Sequence, residues 1–227
     1  MKPKEFYEQN YAPYKDTARR VYDRLFFKKS NEILLSFPSY IKIEDSKVLD
    51  VGCGAGECLV TFAWHGAEVT GITPRQVEVD TAKTWLKDSK MEGTVIKGTG
   101  EDLSFIMDNS FDIILLIQTI EHVQDINKVI SEIYRVLKPN GFLRITGPNN
   151  LQPYEGHYKT LWLPFCPKWI AKKYVKWILN KDPLILDNIN YMTRHGMMKR
   201  LNQHGFKHIS NFNSNKFYSS IDELYQK

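Results

Sequence analysis

The sequence lacks any long hydrophobic run. Its longest uninterrupted aliphatic stretch, "IILLI" from Ile113 to Ile117, falls far short of the ~20 residues that cross a bilayer. The opening "MKPKEFYEQNYAPY" lacks the apolar core of an export signal and carries acids and prolines instead. Cysteine is scarce: Cys53, Cys58 and Cys166 are too few for a disulfide framework, and no pair has the spacing of a zinc site. Repeats and low-complexity tracts are missing too. These absences predict a protein of a reducing, cytoplasmic compartment. Charge is nearly balanced, with 31 basic residues against 26 acidic ones. So small an excess favours an acidic partner without the concentrated basic patch that nucleic acid requires.

What is present is regular. With 227 residues, 42% of them hydrophobic, the chain is long enough for a substantial core. From Lys47 to Pro148, strand-like and helix-like segments alternate. "KVLDVG", "AEVTGIT", "GTVIKG", "SFDIILLIQ" and "FLRITG" read as five strands, the fourth too apolar to have a wet face. Between them, "GECLVTFAWHG", "PRQVEVDTAKTWLKDS" and "DINKVISEIYRVLKPNG" read as helices, the last with Asp125 as N-cap and Pro139 and Gly141 as stops. Alternation of this kind predicts a doubly wound, Rossmann-like α/β fold. Its sheet is expected to be mostly parallel and seven-stranded, with helices on both faces. "TRHGMMKRLNQHGF" supplies a further helix, and "FKHISNF" and a short strand near "KFYSS" are expected to complete the sheet. The expected divisions are an N-terminal helical lid at 1–40, a core at 41–148, a lid insertion after strand five at 149–190, and a completion of the core sheet at 191–227.

The first strand leads into "GCGAGE", with Gly52, Gly54 and Gly56 at alternate positions. A dinucleotide fingerprint needs its third glycine at position 57, which is Glu57. A carboxylate there would oppose a pyrophosphate at the helix N-terminus. Asp50, just before the loop, suits a ligand with positive charge. S-adenosylmethionine carries a sulfonium and an ammonium and no phosphate, and glycines let backbone approach it closely.

The segments "VLDVGCGAG", "VTGIT", "GEDLSFIMDNSFDIILLIQTIEHV" and "EIYRVLKPNGFLRITGPN" together resemble the class I S-adenosylmethionine-dependent methyltransferases, in particular the small-molecule methyltransferases of quinone and natural-product pathways. The resemblance spans about residues 45–148, and 193–212 loosely. It implies S-adenosylmethionine as cofactor, with Asp50 and the backbone of Gly52 and Gly54 at its amino-acid end, and Cys53 and Gly56 in the same loop. Cys53 also reads as a small buried residue. Relatives end the second strand with an acid for the ribose; here that position is Thr73, and either Gln76 shares the task or Thr73 is a plain strand end and Gln76 lies on a solvated helix. Thr99 stands where relatives carry an adenine-binding acid, so adenine contacts pass to Gly100 and Glu101, and Asp102 caps a turn. Gln118 and Thr119 are expected beneath the cofactor.

His122, after the fourth strand, is a candidate general base or a packing residue; both roles stay open. In the insertion, Tyr154, His157 and Tyr158 are candidate acceptor contacts or bases, or simply lid packing. Tyr7, Tyr11 and Tyr14 are candidates to close over the site. On a helical reading of "PKWIAKKYVKWILNK", Ile170, Tyr174, Trp177 and Ile178 share a face and Lys172, Lys173 and Lys176 another. That face either packs on the domain, its lysines solvated, or makes transient contact with a membrane surface through 165–181.

The implied activity is methyl transfer to an oxygen, or a nitrogen, of a small-molecule, glycan-like or lipid-linked acceptor. A tRNA or rRNA methyltransferase using the lysine-rich insertion is an alternative. The Asp/Asn-Pro-Pro-Tyr/Phe segment of exocyclic base methylation is missing after strand four, as is a cysteine nucleophile. A catalytically inactive cofactor-binding regulator is the other alternative, suggested by Thr73 and Thr99. An NAD-dependent oxidoreductase is disfavoured by Glu57 and Thr73.

Overall fold

Alternation of side chains along doubly buried strands sets the architecture. A computed structural model describes residues 24–152, 154–155, 160–161, 166–187, 189–212 and 220–227. In β1 (Lys47–Val51) and β4 (Phe111–Ile117), Val48, Ile113 and Leu115 enter one core, while Leu49, Val51, Ile114 and Leu116 enter the other. Each such side chain contributes about 1.5–3 kcal/mol by burial, which is why a strand with no polar face is stable only between two helical layers.

One layer holds α1 (Arg24–Leu35), α2 (Glu57–Trp64) and α3 (Gln76–Asp88); the other holds α4 (Ile126–Val136) and α6 (Arg194–Gln203). Between them, β1, β2 (Glu68–Thr73), β3 (Thr94–Lys97), β4, β5 (Leu137–Gly147), β8 (Lys207–Asn211) and β9 (Ile221–Gln226) form one sheet in the order β3-β2-β1-β4-β5-β9-β8. Pairings from β3 through β5 are parallel, and β9 runs antiparallel to both β5 and β8. The expected seven-stranded, mostly parallel sheet is therefore observed. The order reverses between β1 and β4, so their carboxyl ends open a crevice.

Local chemistry fixes several ends. Asp125 caps α4, its carboxylate accepting from the amides of Asn127 (3.0 Å) and Lys128 (3.1 Å). The helix stops at Val136, and Leu137 is already extended, with φ −75° and ψ 133°. Pro139 disfavours helical geometry at Lys138, so β5 begins earlier than "FLRITG" suggests.

The last strand differs more. It is Ile221–Gln226, beyond "KFYSS", whose residues 216–219 lie outside the described residues. "IDELYQ" carries two acids, which disguises it as a loop. In the fold, Glu223 is fully buried and paired with Arg194 and His208, while Asp222 pairs with the buried Arg144.

The described part of the N-terminal segment packs on the α2 side of the sheet. The Ser30 and Thr61 hydroxyls are 2.7 Å apart, and Phe37 meets Phe62 edge to face at 5.9 Å. Tyr7, Tyr11 and Tyr14 lie outside the described residues. The insertion is clipped at its base, where the Asn150 amide donates to the Met192 carbonyl at 2.7 Å. Within it are the short pair β6 (Tyr154–Glu155) and β7 (Thr160–Leu161), α5 (Lys168–Lys173) and a π-helical turn, Tyr174–Ile178. That wider turn changes the expected face. Ala171 and Val175 point inward with part-buried Tyr174, while Ile170, Trp177 and Ile178 point out.

Removing one partner of a buried ion pair costs about 3–5 kcal/mol, and the 29% exposure of the Arg194 and His208 side chains lowers the expectation here to about 2–3 kcal/mol. Glu223→Ala should lower the thermal midpoint by on the order of 5–10 °C, measured by circular dichroism. A fall of less than about 2 °C would remove this cluster from the forces holding β9 in the sheet.

Candidate active site at the carboxyl ends of β1, β2 and β4

A cavity of about 610 Å³ occupies the crevice. That is within the roughly 300–1,000 Å³ usual for small-molecule sites. Gly52 and Gly54 form its floor beside Thr119 and Gln118; Thr73, Arg75 and Glu78 form one wall; Thr99, Gly100 and Glu101 form another; and His122 closes the rim.

The glycine loop is held from below. The amides of Gly52 and Cys53 both donate to the Ile72 carbonyl, at 2.8 and 3.0 Å. Gly52 has φ +82°, and a Cβ there would sit 2.2 Å from the Thr119 hydroxyl, so both conformation and space demand glycine. A Cβ on Gly54 would meet nothing within 4 Å, which leaves its backbone bare toward the cavity. Two members of the loop do other work. Gly56, with φ +93°, starts α2 and would strike Ala82 of α3 at 2.9 Å if it carried a Cβ. The Cys53 thiol sits under Gly71 among helix-packing residues, and neither Cys53 nor Gly56 lines the cavity.

Asp50 lies beneath this loop, 3% exposed. Burial, with a smaller push from the charge of Glu57, raises its carboxyl from the ordinary 3.8 to about 8. Asp50 therefore carries a proton at neutral pH unless a cation arrives nearby. It does not itself line the cavity.

The wall at the end of β2 departs from the expectation at Gln76, whose exposed side chain donates to Asp80 at 2.9 Å, away from the cavity. The carboxylate present there is Glu78. It accepts from the Thr73 hydroxyl and from the Arg75 guanidinium, and all three line the cavity. An acid in the first turn of a helix reads from sequence as a complement to the helix dipole, which hides its second use. The signal that finds it is position: the first turn of α3 hangs over the end of β2.

On the opposite wall the Glu101 carboxylate accepts from the Gln124 amide at 2.7 Å, so its side chain braces the rim. Asp102 caps a turn by accepting from the Ser104 amide and hydroxyl, at 3.2 and 2.7 Å. Gln118 has φ +51°, an uncommon conformation for a residue with a side chain, and its amide donates to the Thr146 carbonyl at 3.0 Å. Next come Glu121 and His122 in a short 3₁₀ turn, Glu121 buried and His122 facing the cavity, with carboxylate and imidazole 3.9 Å apart. The insertion reaches this turn through Asn190, whose amide donates to the Glu121 carbonyl at 2.7 Å and whose side chain donates to the Val123 carbonyl at 2.5 Å. His157, Tyr158 and the side chain of Tyr154 lie outside the described residues.

Residues 49–145 match a family described as "Methyltransferase domain". The chain carries a class I S-adenosylmethionine-dependent methyltransferase domain. It is 32% identical over 110 residues to a ubiquinone biosynthesis O-methyltransferase of Rickettsia felis, covering 48% of this chain and 44% of that one. A protein of the same description from Bartonella tribocorum is 30% identical over 162 residues, covering 66% of this chain and 65% of that one. The chain thus spans from under half to about two thirds of these relatives' length. A crystal structure of an S-adenosylmethionine-dependent methyltransferase from Aquifex aeolicus superimposes with a TM-score of 0.63 over 93% of this chain and 96% of that one, at 18% identity, a likeness of fold.

The methyltransferase domain takes S-adenosylmethionine as its cofactor, and the residues present fit it. Bare backbone at Gly54, buried Asp50 under the loop and the carboxylate of Glu78 suit a cationic, phosphate-free adenosine.

Because Asp50 is protonated in the folded state and released on unfolding, it withdraws stability as pH rises from 3.8 to about 8. The slope from one such group is about 1.4 kcal/mol per pH unit. Asp50→Asn should abolish this contribution, so the variant gains on the parent between pH 5 and 8 in urea unfolding, with the gap flat above pH 8. Parallel curves across that range would refute a raised Asp50.

Proposed function

We propose that the protein transfers a methyl group from S-adenosylmethionine to an oxygen of a small-molecule acceptor. The observation that carries this reading is His122: an imidazole facing the cavity from the carboxyl end of β4, with the buried carboxylate of Glu121 behind it. A hydroxyl without an acidic proton needs a positioned base, and imidazole suits that task near neutral pH. The relatives' description as O-methyltransferases supports oxygen over nitrogen.

When bound, S-adenosylmethionine supplies a methyl group activated by its sulfonium. The chain does the rest. Asp50 would ionise against the cofactor's positive charge, and Glu78, held by Thr73 and Arg75, would accept from ribose hydroxyls. Gly100 and Glu101 flank the adenine side, and Gln118 and Thr119 close the floor. His122 would take the acceptor's hydroxyl proton as the new carbon–oxygen bond forms. Alignment and exclusion of water account for the remainder of such a displacement. The inactive-regulator alternative loses support, since Glu78 supplies the acid that Thr73 lacks.

Calorimetric titration with S-adenosylmethionine tests the cofactor side. Glu78→Gln should weaken binding by about tenfold, the loss of one charge-assisted pair, while Gln76→Ala leaves it unchanged. The reverse ranking would return the ribose to Gln76. Turnover with labelled methyl donor, screened over phenols, sugars, lipids and tRNA, tests the acceptor side. His122→Ala should lower kcat by roughly 10²-fold or more on the accepted hydroxyl, with cofactor affinity within about twofold. Equal rates would make His122 a packing residue, and turnover on tRNA alone would displace the small-molecule reading.

A further inference from the structure

Residues 166–187 present an outward surface unlike the rest of the described molecule. Their inward side is complete: Ala171, Val175 and Leu186 are buried together under Tyr174, Leu179 and Tyr191. Outward stand Trp169 (63% exposed), Ile170 (40%), Trp177 (70%), Ile178 (72%) and Leu184 (41%). Singly exposed apolar residues are ordinary, but five within 16 successive positions, two of them tryptophan, make a patch that marks an interaction site.

The charge around the patch says what it meets. The segment carries Lys168, Lys172, Lys173, Lys176 and Lys181 against Asp182 and Asp187, and Lys172 pairs with Asp187 at 2.5 Å. The Lys173 ammonium lies 5.5 Å from the Trp169 ring and 5.8 Å from that of Trp177, so an ammonium sits between two indoles. A second copy of the chain is a poor occupant, because a two-fold contact would set these lysines against themselves. Indoles beside lysines, on a short helix closed on its other side, match the boundary between acyl chains and anionic headgroups.

We propose that the outward face of residues 168–184 docks on an anionic lipid surface. The tryptophans and isoleucines enter the boundary layer and the lysines meet the headgroups. The face is mechanically close to the cavity: Lys168 donates to the Ile189 carbonyl at 3.1 Å, and neighbouring Asn190 bonds the rim at Glu121 and Val123. This surface stands independently of the acceptor's identity.

The test is co-sedimentation of the full chain with vesicles of equal phosphatidylglycerol and phosphatidylcholine, against phosphatidylcholine alone. Binding to the anionic vesicles should be at least about tenfold tighter and should weaken with added salt. Trp169→Ala/Trp177→Ala and Lys173→Glu/Lys176→Glu should each reduce it about tenfold or more, with thermal midpoint and S-adenosylmethionine affinity unchanged. Equal binding to neutral vesicles, no sedimentation, or undiminished binding by both double variants would overturn the proposal. So would a concentration-dependent dimer, seen by sedimentation velocity, that the same substitutions dissolve.

Discussion

The close approach of Gly52 to Thr119 is the constraint on which the site depends. Two loops, one leaving β1 and one leaving β4, meet at the point where the strand order reverses, and the space between them has no room for a Cβ. The amides of Gly52 and Cys53 share one carbonyl of β2, and that of Gln118 is tied to Thr146 of β5. Backbone from four adjacent strands is thereby locked into one rim. A floor made of main chain is stiff, which suits a reaction that depends on alignment more than on charge transfer to the protein.

Around that floor the protein concentrates carboxyl groups of different character. Asp50 is buried and raised to about 8, so it rests neutral and is ready to become an anion when a cation comes near. Glu78 is engaged by a hydroxyl and a guanidinium and reaches the cavity wall as an oriented acceptor. Glu101 is spent on bracing the Gln124 amide. Glu57, in the first turn of α2, puts a further carboxylate where a pyrophosphate would need donors. This distribution, rather than any single residue, suits a cationic adenosine.

Much of this was legible along the chain. Six strands, β8 within "FKHISNF" among them, and four helices could be placed because their apolar residues repeat with the period of the element, and Asp125 marks a helix start as an N-cap does. Gly52, Gly54, Thr73, Gly100, Glu101, Gln118 and Thr119, which the resemblance points to, and His122 at the end of the fourth strand all line the cavity. Where residues were misplaced, a long-range partner was the cause. β9 lies beyond the strand expected near "KFYSS", and its two acids fit a sheet because Arg194, His208 and Arg144 close on them from elsewhere in the chain. Gln76 and Glu78 differ by two positions, which on a helix is a turn of about 200°. Only the packing of α3 on the sheet decides which of them faces the strand end.

Periodicity, loop glycines and strand-end residues were enough to determine the fold class, the nature of the cofactor and the crevice where chemistry belongs, because these depend on interactions within a few residues of one another. The tertiary structure alone decided that Gly56 serves packing, that Glu78 rather than Gln76 lines the cavity, and that Trp169 and Trp177 face outward. Those outcomes turn on which neighbour occupies the space beside a side chain, and that neighbour comes from a distant part of the chain.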